Sequence, residues 1–173
     1  MGELVEEMLT LVAPPGCAAC TASVPRVVDV FCRACASLVE THEHPSAAYE
    51  YGGPVADAIR RFKYEGQSHL ALPLGAALAR GACRWAGRVD MVVPVPLHWR
   101  RRWGRGYDQA GLLAKPVARS LGVPLRLRTL RRTRNTPKQA SLRGSERRSN
   151  MLGAFASRAL PPNARVLLVD DVR

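Results

Sequence analysis

Two groups of residues have the types and spacing that chemistry requires. Near the start of the chain, Cys17 and Cys20 form one Cys-x2-Cys pair, and Cys32 and Cys35 form a second pair after a gap of eleven residues. Each pair predicts a tight turn that directs two thiolates at one point, so the four sulfurs can complete the tetrahedral shell of a structural Zn²⁺. Two disulfides are the alternative, and a cytoplasmic setting argues against them.

The second group is the acid pair, Asp170 and Asp171, which follows the apolar run Val166–Val169. Such a run predicts a strand buried on both faces of a parallel sheet. Ligands of open α/β sheets bind beyond the carboxyl ends of the strands, where two carboxylates can accept hydrogen bonds from a sugar diol or hold hydrated Mg²⁺. The alternative is that an aspartate after a strand caps a following helix.

A small N-terminal module must position the cysteines, and we assign it to residues 1–45, with a short amphipathic helix over residues 4–12. A module of this size buries little core, so bound zinc would supply most of its folding free energy, about 10–16 kcal/mol in small zinc peptides. The fifth cysteine, Cys83, stands among Ala, Arg and Trp and is predicted to be a buried structural thiol.

The elements that must position the acids occupy residues 46–173. Periodicity predicts helices from Pro54 to Gly66 and over residues 71–85 and 109–121, a basic helical segment over 142–150, and strands over 46–53, 90–97 and 123–130. A basic, aromatic loop, residues 98–109, lies between a strand and a helix N-terminus, a position suited to phosphate. The alternative is a solvated loop whose aromatic side chains pack on the body.

The charge of the chain is high and uneven. Its formal net charge is +12, but the first 50 residues hold two arginines against seven acidic residues. The basic remainder favours a polyanionic partner, either a phosphorylated substrate or nucleic acid. No apolar run approaches the roughly 20 residues that span a bilayer, so we expect no membrane insertion and a cytoplasmic location.

Several motifs in one order resemble those of the ComF family, whose members are linked to natural competence and carry a phosphoribosyltransferase domain behind a zinc ribbon. Besides the four cysteines, the matching motifs are Phe62-Lys63-Tyr64-x-Gly66, Pro94-Val-Pro-Leu97, Arg105-Gly-Tyr-Asp-Gln-Ala110, Thr136-x-x-Gln139, Arg147-x-x-Asn150, Gly153-Ala-Phe155 and Val166-Leu-Leu-Val-Asp-Asp-Val172. At Tyr107 and Asp108 the family more often has Phe and Asn.

This resemblance implies an α/β fold, with a zinc-ribbon module followed by an incomplete type I phosphoribosyltransferase-like parallel sheet and flanking helices. It implies transfer of ribose 5-phosphate from phosphoribosyl pyrophosphate, with Asp170 and Asp171 as catalytic residues on the ribose hydroxyls. Arg105, Arg134 and Lys138, together with Mg²⁺, are the candidates for neutralising the pyrophosphate. In the family the two acids open a Thr-Thr-Gly-Ala-Thr loop that binds the 5′-phosphate. This chain ends before that loop, so we expect impaired binding.

Single-stranded nucleic acid is the alternative partner, in a module that acts in DNA uptake with the competence machinery. Phosphate contacts and base stacking could be combined in the basic, aromatic loop. The residues suited to this are Trp99, Arg100, Arg101, Arg102, Trp103 and Tyr107.

Overall fold

The computed structural model describes residues 15–40, 47–98, 103–104, 106–134, 136 and 151–172. We number its elements in chain order. The helices are α1 (Arg33–Ala36), α2 (Gly53–Tyr64), α3 (Ala71–Ala82) and α4 (Gln109–Leu121), with 3-10 turns at Ser68–Leu70 and Cys83–Trp85. The strands are β1 (Met91–Pro94), β2 (Leu130–Arg132), β3 (Phe155–Ser157) and β4 (Val166–Val169).

A small parallel sheet forms the centre of the fold. β1 pairs with β4 in parallel, with Met91 opposite Val166 and Pro94 opposite Val169. On the other side of β1, Val92 donates to the carbonyl of Pro124 at 3.0 Å and accepts from the N–H of Arg126 at 2.8 Å. All four residues of β1 are buried, as the continuous apolar run requires. The predicted α/β class, with a cysteine module ahead of a parallel sheet, is confirmed.

Helices α2, α3 and α4 contribute much of the hydrophobic core that surrounds the sheet. The predicted apolar face of α2 is confirmed, because Val55, Ile59 and Phe62 are buried. α3 and α4 approach each other closely where Gly75 faces Pro116, since a Cβ added at Gly75 would lie 2.5 Å from the Cγ of Pro116. This contact needs a residue without a side chain.

β2 and β3 pair as a separate antiparallel hairpin, with Leu130 opposite Ser157 and Arg132 opposite Phe155. The strand predicted over residues 123–130 is therefore largely wrong. Only Leu125 bridges to the parallel sheet, and the chain then turns before β2 begins. Alternation of apolar and polar residues indicates an extended segment, but it does not show whether a neighbouring strand is available to pair with every residue of that segment.

Other expectations also need correction. Residues 47–52 form bends rather than a strand. Leu168 is 58% exposed whereas Val169 is buried, so β4 is not buried on both faces among the described residues. Cys83 is exposed rather than buried, because it begins the 3-10 turn that ends α3, where its thiol lies 3.4 Å from the carbonyl of Ala79.

The segments predicted as helices over residues 4–12 and 142–150 lie outside the described residues. Within the described part of the chain, every helix is too short or too polar to cross a bilayer. The division into domains at residue 45 stays a prediction.

Candidate functional site

The four cysteines of the N-terminal module converge on one point. Their sulfur atoms all lie within 4.8 Å of one another, with 3.7 Å between the Sγ atoms of Cys20 and Cys32, and none forms a disulfide. The first pair is folded into a knuckle by backbone hydrogen bonds, in which Cys17 donates to the carbonyl of Ala22 and Thr21 donates to that of Cys17. The four cysteines are therefore positioned to bind one metal ion, and an all-sulfur set suits Zn²⁺.

The thiols influence one another's protonation. Burial acts to raise the pKa of Cys17, but hydrogen bonds from the backbone N–H groups of Cys20, Cys32 and Ala19 outweigh it and lower the pKa to about 7. Burial and hydrogen bonding to the neighbouring sulfurs raise the pKa of Cys35. A metal ion bound here would take the place of the thiol protons.

Helix α2 is attached to the first cysteine knuckle by Arg61. The buried guanidinium donates from Nη1 to the carbonyl oxygens of Cys17 at 3.1 Å and Ala18 at 2.8 Å. Its Nη2 donates to Oε1 of Gln67 at 2.7 Å, and its Nε lies 3.8 Å from a carboxylate oxygen of Glu65. The planar fork of arginine suits this arrangement, because its donors point in several fixed directions at once.

The acid pair lies at the carboxyl end of the parallel sheet, as predicted. Val95 donates to the carbonyl of Val169, so the chain leaving β1 runs beside the start of the acid pair. Asp171 forms an ion pair with Lys63 of α2, with 2.8 Å between Nζ and Oδ1, and these side chains are only 18% and 11% exposed. The N–H of Asp171 also donates to Oδ1 of Asp170 at 2.9 Å. The carboxylate of Asp171 is thus held by one lysine, and that of Asp170 by the backbone N–H of Asp171.

Asp170 differs electrostatically from an ordinary surface aspartate. Its side chain is open to a cavity, but the protein atoms around it reduce its hydration, and this desolvation together with the charge of Asp171 raises its pKa to about 7. The N–H of Asp171 and the positive charges of Lys63 and Arg132 act in the opposite direction. Near neutral pH this carboxyl group can therefore either donate or accept a hydrogen bond.

The end of the basic, aromatic loop reaches the same turn of α2. The hydroxyl of Tyr107 donates to the carbonyl of Phe62, and the two rings pack with their centroids 5.7 Å apart. Asp108 caps α4 by accepting a hydrogen bond from the N–H of Gly111 at 3.3 Å. An acid at position 108 thus has a local structural partner, and the hydroxyl of Tyr107 binds the carbonyl of the peptide group that precedes Lys63.

The residues predicted to bind pyrophosphate are only partly described. Arg105 and Lys138 lie outside the described residues. Arg134 is exposed, and its Nη1 donates to the carbonyl of Leu152 at 2.8 Å, which ties it to the chain entering β3. The prediction for these three residues stays a prediction.

Two cations whose charges act on Asp170 were not singled out from the sequence as site residues, namely Lys63 and Arg132. Arg132 lies on β2, stacks over the ring of Phe155 at 5.3 Å and donates to the hydroxyl of Thr136, and its charge reaches Asp170. In the sequence, Lys63 stood out as one of the basic residues of the predicted helix and as a member of the Phe-Lys-Tyr motif, with no role at the site. The available signal was that Lys63 stands four residues after the buried Ile59, where the apolar face of α2 would otherwise continue.

A cavity of about 870 Å³ opens beside the acid pair. Aliphatic side chains from α2, α3, α4 and β4 form most of its wall, and residues 47–51 close one side. The lining residues are Ala47, Ala48, Tyr49, Glu50, Tyr51, Val55, Ile59, Leu74, Leu78, Val95, Leu113, Leu168, Asp170, Asp171 and Val172. The acid pair therefore borders a largely apolar space, which Glu50 also lines.

Comparison with known proteins gives clear relatives. The chain is 37% identical over 131 residues to Competence protein F of Haemophilus influenzae, an alignment that covers 70% of this chain and 57% of the relative. It is 32% identical over 128 residues to the DNA utilization protein YhgH of Escherichia coli K12 and to that of Salmonella typhimurium, covering 71% of this chain and 56% of each relative.

The chain thus spans a little more than half the length of these curated relatives. Searches against protein-family models and against solved structures gave no match. The similarity to these relatives agrees with the spaced sequence motifs and with the convergent cysteines, and on these grounds the chain belongs to the ComF family.

Proposed function

We propose that this protein acts in DNA uptake and utilization and that its acid pair binds the ribose of phosphoribosyl pyrophosphate. Two observations support the uptake role, the names of the relatives and the strongly basic charge of +12. The single observation that carries the ligand proposal is the acid pair at the carboxyl end of β4, held by Lys63 beside the loop that follows β1. This edge is where ligands of α/β sheets bind.

The arrangement fits the chemistry of ribosyl transfer. When the C1–O bond of the donor breaks, positive charge develops on the sugar and negative charge on the departing pyrophosphate. Asp170 and Asp171 would accept hydrogen bonds from the ribose hydroxyls and orient the ring. Lys63 and Arg132, with the predicted Arg105, Arg134 and Lys138, would offset the negative charge of the leaving group. Bound Mg²⁺ would supply further neutralisation of the pyrophosphate.

Titration calorimetry with Mg–phosphoribosyl pyrophosphate tests this proposal on the 173-residue chain. We expect binding that weakens about tenfold or more in Asp170→Asn, because a hydrogen bond to a charged acceptor is lost. Asp57→Asn is the matched control, since Asp57 is an exposed aspartate of α2 that lies 3.7 Å from the surface residue Arg60. Absence of binding, or equal affinity in both variants, would contradict the proposal.

We also propose that the metal of the four-cysteine site is Zn²⁺ with a structural role, in a protein of the cytoplasm, where thiols stay reduced. Metal analysis of the purified protein should find about one zinc per chain. Cys17→Ser should lose it, whereas Cys83→Ser should keep it because Cys83 stands apart from the cluster. Retention of zinc by Cys17→Ser would argue against the assignment.

Binding of single-stranded DNA is the second candidate function. The observation that favours it is Trp103, which is 84% exposed and follows three consecutive arginines in the sequence. An exposed indole beside guanidinium groups can stack on a base while the cations contact phosphates.

Fluorescence anisotropy with a labelled oligonucleotide at several salt concentrations tests the second function. We expect affinity to fall steeply with salt, and Trp103→Ala to weaken binding by about 1–3 kcal/mol. Tyr51→Ala is the control, because Tyr51 is an exposed aromatic residue outside the loop. Salt-independent binding, or equal effects of the two substitutions, would rule out stacking on Trp103.

A further inference from the structure

We propose that the last turn of α2 couples the four-cysteine metal centre to the acid pair, with Arg61 and Lys63 as positioning residues. A change at the metal centre then moves Asp171. The proposal deepens the proposed function, because it takes the acid pair to be the ligand site. The coupling itself is defined by contacts within the chain and exists without any ligand.

The first link runs from the metal centre to α2. Arg61 holds the carbonyl oxygens of Cys17 and Ala18, which are a metal-binding residue and its neighbour in the knuckle. These carbonyls belong to the two peptide units that follow Cys17 in the knuckle, so the geometry of metal binding and the position of the guanidinium depend on each other. Because Arg61 is buried and its other contacts, Gln67 and Glu65, lie close along the chain, the guanidinium cannot follow the knuckle without moving the end of α2.

The second link runs from α2 to the acid pair. Lys63 lies two residues after Arg61 and forms the 2.8 Å ion pair with Asp171. Both side chains are largely shielded from solvent, so neither is free to adjust independently as an exposed pair would. Between Arg61 and Lys63 in the chain, the carbonyl of Phe62 accepts a hydrogen bond from the hydroxyl of Tyr107. This bond fixes the same turn of α2 against the loop before α4. Three consecutive residues thus join three separate parts of the molecule.

This arrangement gives the cysteine module a role beyond folding. A helix turn is rigid over three residues, since its backbone hydrogen bonds fix their relative positions. A displacement of the knuckle by a change in metal–sulfur geometry is therefore transmitted to Lys63 rather than absorbed. The metal centre would set the position of Asp171 and, through its N–H, that of the Asp170 carboxylate.

Exchange of Zn²⁺ for the larger Cd²⁺ tests the coupling in the intact chain, with two-dimensional ¹H–¹⁵N NMR as the readout. Both ions favour four thiolates, so the knuckle is displaced but stays folded. In the wild type we expect the amide resonances of Ala18 and Asp171 both to shift. In Arg61→Gln we expect Ala18 to shift and Asp171 to lose most of its shift. In Arg61→Gln, transfer of the metal to a chelator should also be about tenfold faster or more than in the wild type.

Arg60→Gln is the matched control, because Arg60 is the neighbouring arginine of α2 but is 62% exposed. Its ion pairs among the described residues are with Asp57 and Glu65, which are 57% and 40% exposed, so the variant should behave as the wild type. If Arg61→Gln does not fold, Arg61→Lys provides the comparison, since it keeps the charge but loses the fork. An unshifted Asp171 amide in the wild type, or an equal shift in the Arg61 variant, would overturn the coupling. Neither result depends on ligand binding, so failure of the calorimetric experiment would leave this inference intact.

Discussion

Replacing Lys63 by Met tests the electrostatic design of the acid pair. The Met side chain is unbranched, apolar and only one atom shorter than that of Lys, but it lacks the ammonium group that lies 2.8 Å from Asp171. The carboxylates of Asp170 and Asp171 then remain side by side without that counter-charge. Because the carboxylate of Asp171 is poorly hydrated, the remaining negative charge should destabilise the folded state.

The expected cost follows from the shielding of the pair. Removing one partner of a fully buried ion pair costs about 3–5 kcal/mol, whereas an exposed pair is worth about 0–1 kcal/mol. Since Lys63 and Asp171 are 18% and 11% exposed, we expect Lys63→Met to lower the free energy of unfolding by about 2–3 kcal/mol. The pKa of Asp170 should also rise further, because the charge of Lys63 acts to lower it.

Urea unfolding at pH 8, followed by circular dichroism, measures this cost. Arg60→Met serves as the matched control, because Arg60 lies on the same helix but is 62% exposed, and its loss should cost about 0–1 kcal/mol. Addition of Asp171→Asn to Lys63→Met should restore about 1–3 kcal/mol, which a double-mutant cycle reports as a coupling energy.

Two results would refute this reasoning. A cost for Lys63→Met no larger than that for Arg60→Met would show that the pair is effectively solvated. Additive effects of Lys63→Met and Asp171→Asn would show that the two groups do not interact energetically. Salt offers an independent check. The stability that the shielded Lys63–Asp171 pair contributes should depend less on ionic strength than the stability contributed by the exposed pairs of Arg60 with Asp57 and Glu65.

Four further substitutions probe the same framework. The pKa of Asp170 is raised from its ordinary value of 3.8 to about 7, so its ionisation weakens the folded state as pH rises from about 4 to about 7. The melting temperature of Asp170→Asn should therefore match that of the wild type near pH 4 and exceed it at pH 8. Gly75→Ala should cost about 1–3 kcal/mol in urea unfolding through overlap with Pro116, whereas Gly81→Ala, with open space around it, should stabilise α3 by up to about 1 kcal/mol. Tyr107→Phe should cost about 0.5–1.5 kcal/mol by the same measurement, because it removes the hydrogen bond that the loop makes to α2; no loss of stability would contradict that role.

Local signals in the sequence defined several elements well. The bounds predicted for α4 agree with the structure, because Asp108 supplies a cap at one end and Gly122, with a φ of 66°, ends the helix at the other. The convergence of the four cysteines was equally predictable, since each Cys-x2-Cys turn directs two sulfurs at one point and two such turns complete a tetrahedral site. In both cases the residues that decide the structure are close together in the chain.

Features that depend on distant neighbours were not predictable in this way. The burial of a strand depends on what covers each face, so the apolar run of β4 could not reveal that Leu168 is exposed. The same reason explains the exposure of Cys83, because the apolar residues near it in the chain do not cover its side chain in the fold. Nothing near Arg61 in the sequence indicates its burial, because the two carbonyl groups that it binds, those of Cys17 and Ala18, stand more than 40 residues earlier in the chain.

The cations beside the acid pair show why counting charge along the chain is a weak guide to a site. A run of arginines in a loop provides long-range attraction but does not fix any one cation against a particular carboxylate. Lys63 is a single lysine, yet it stands on the last turn of a packed helix, and Arg132 stands on a strand, so both are held by rigid elements. We therefore expect substitutions in the arginine-rich loop to change mainly the salt dependence of binding. Substitutions of Lys63 or Arg132 should instead change the protonation of Asp170, because their charges reach that carboxylate.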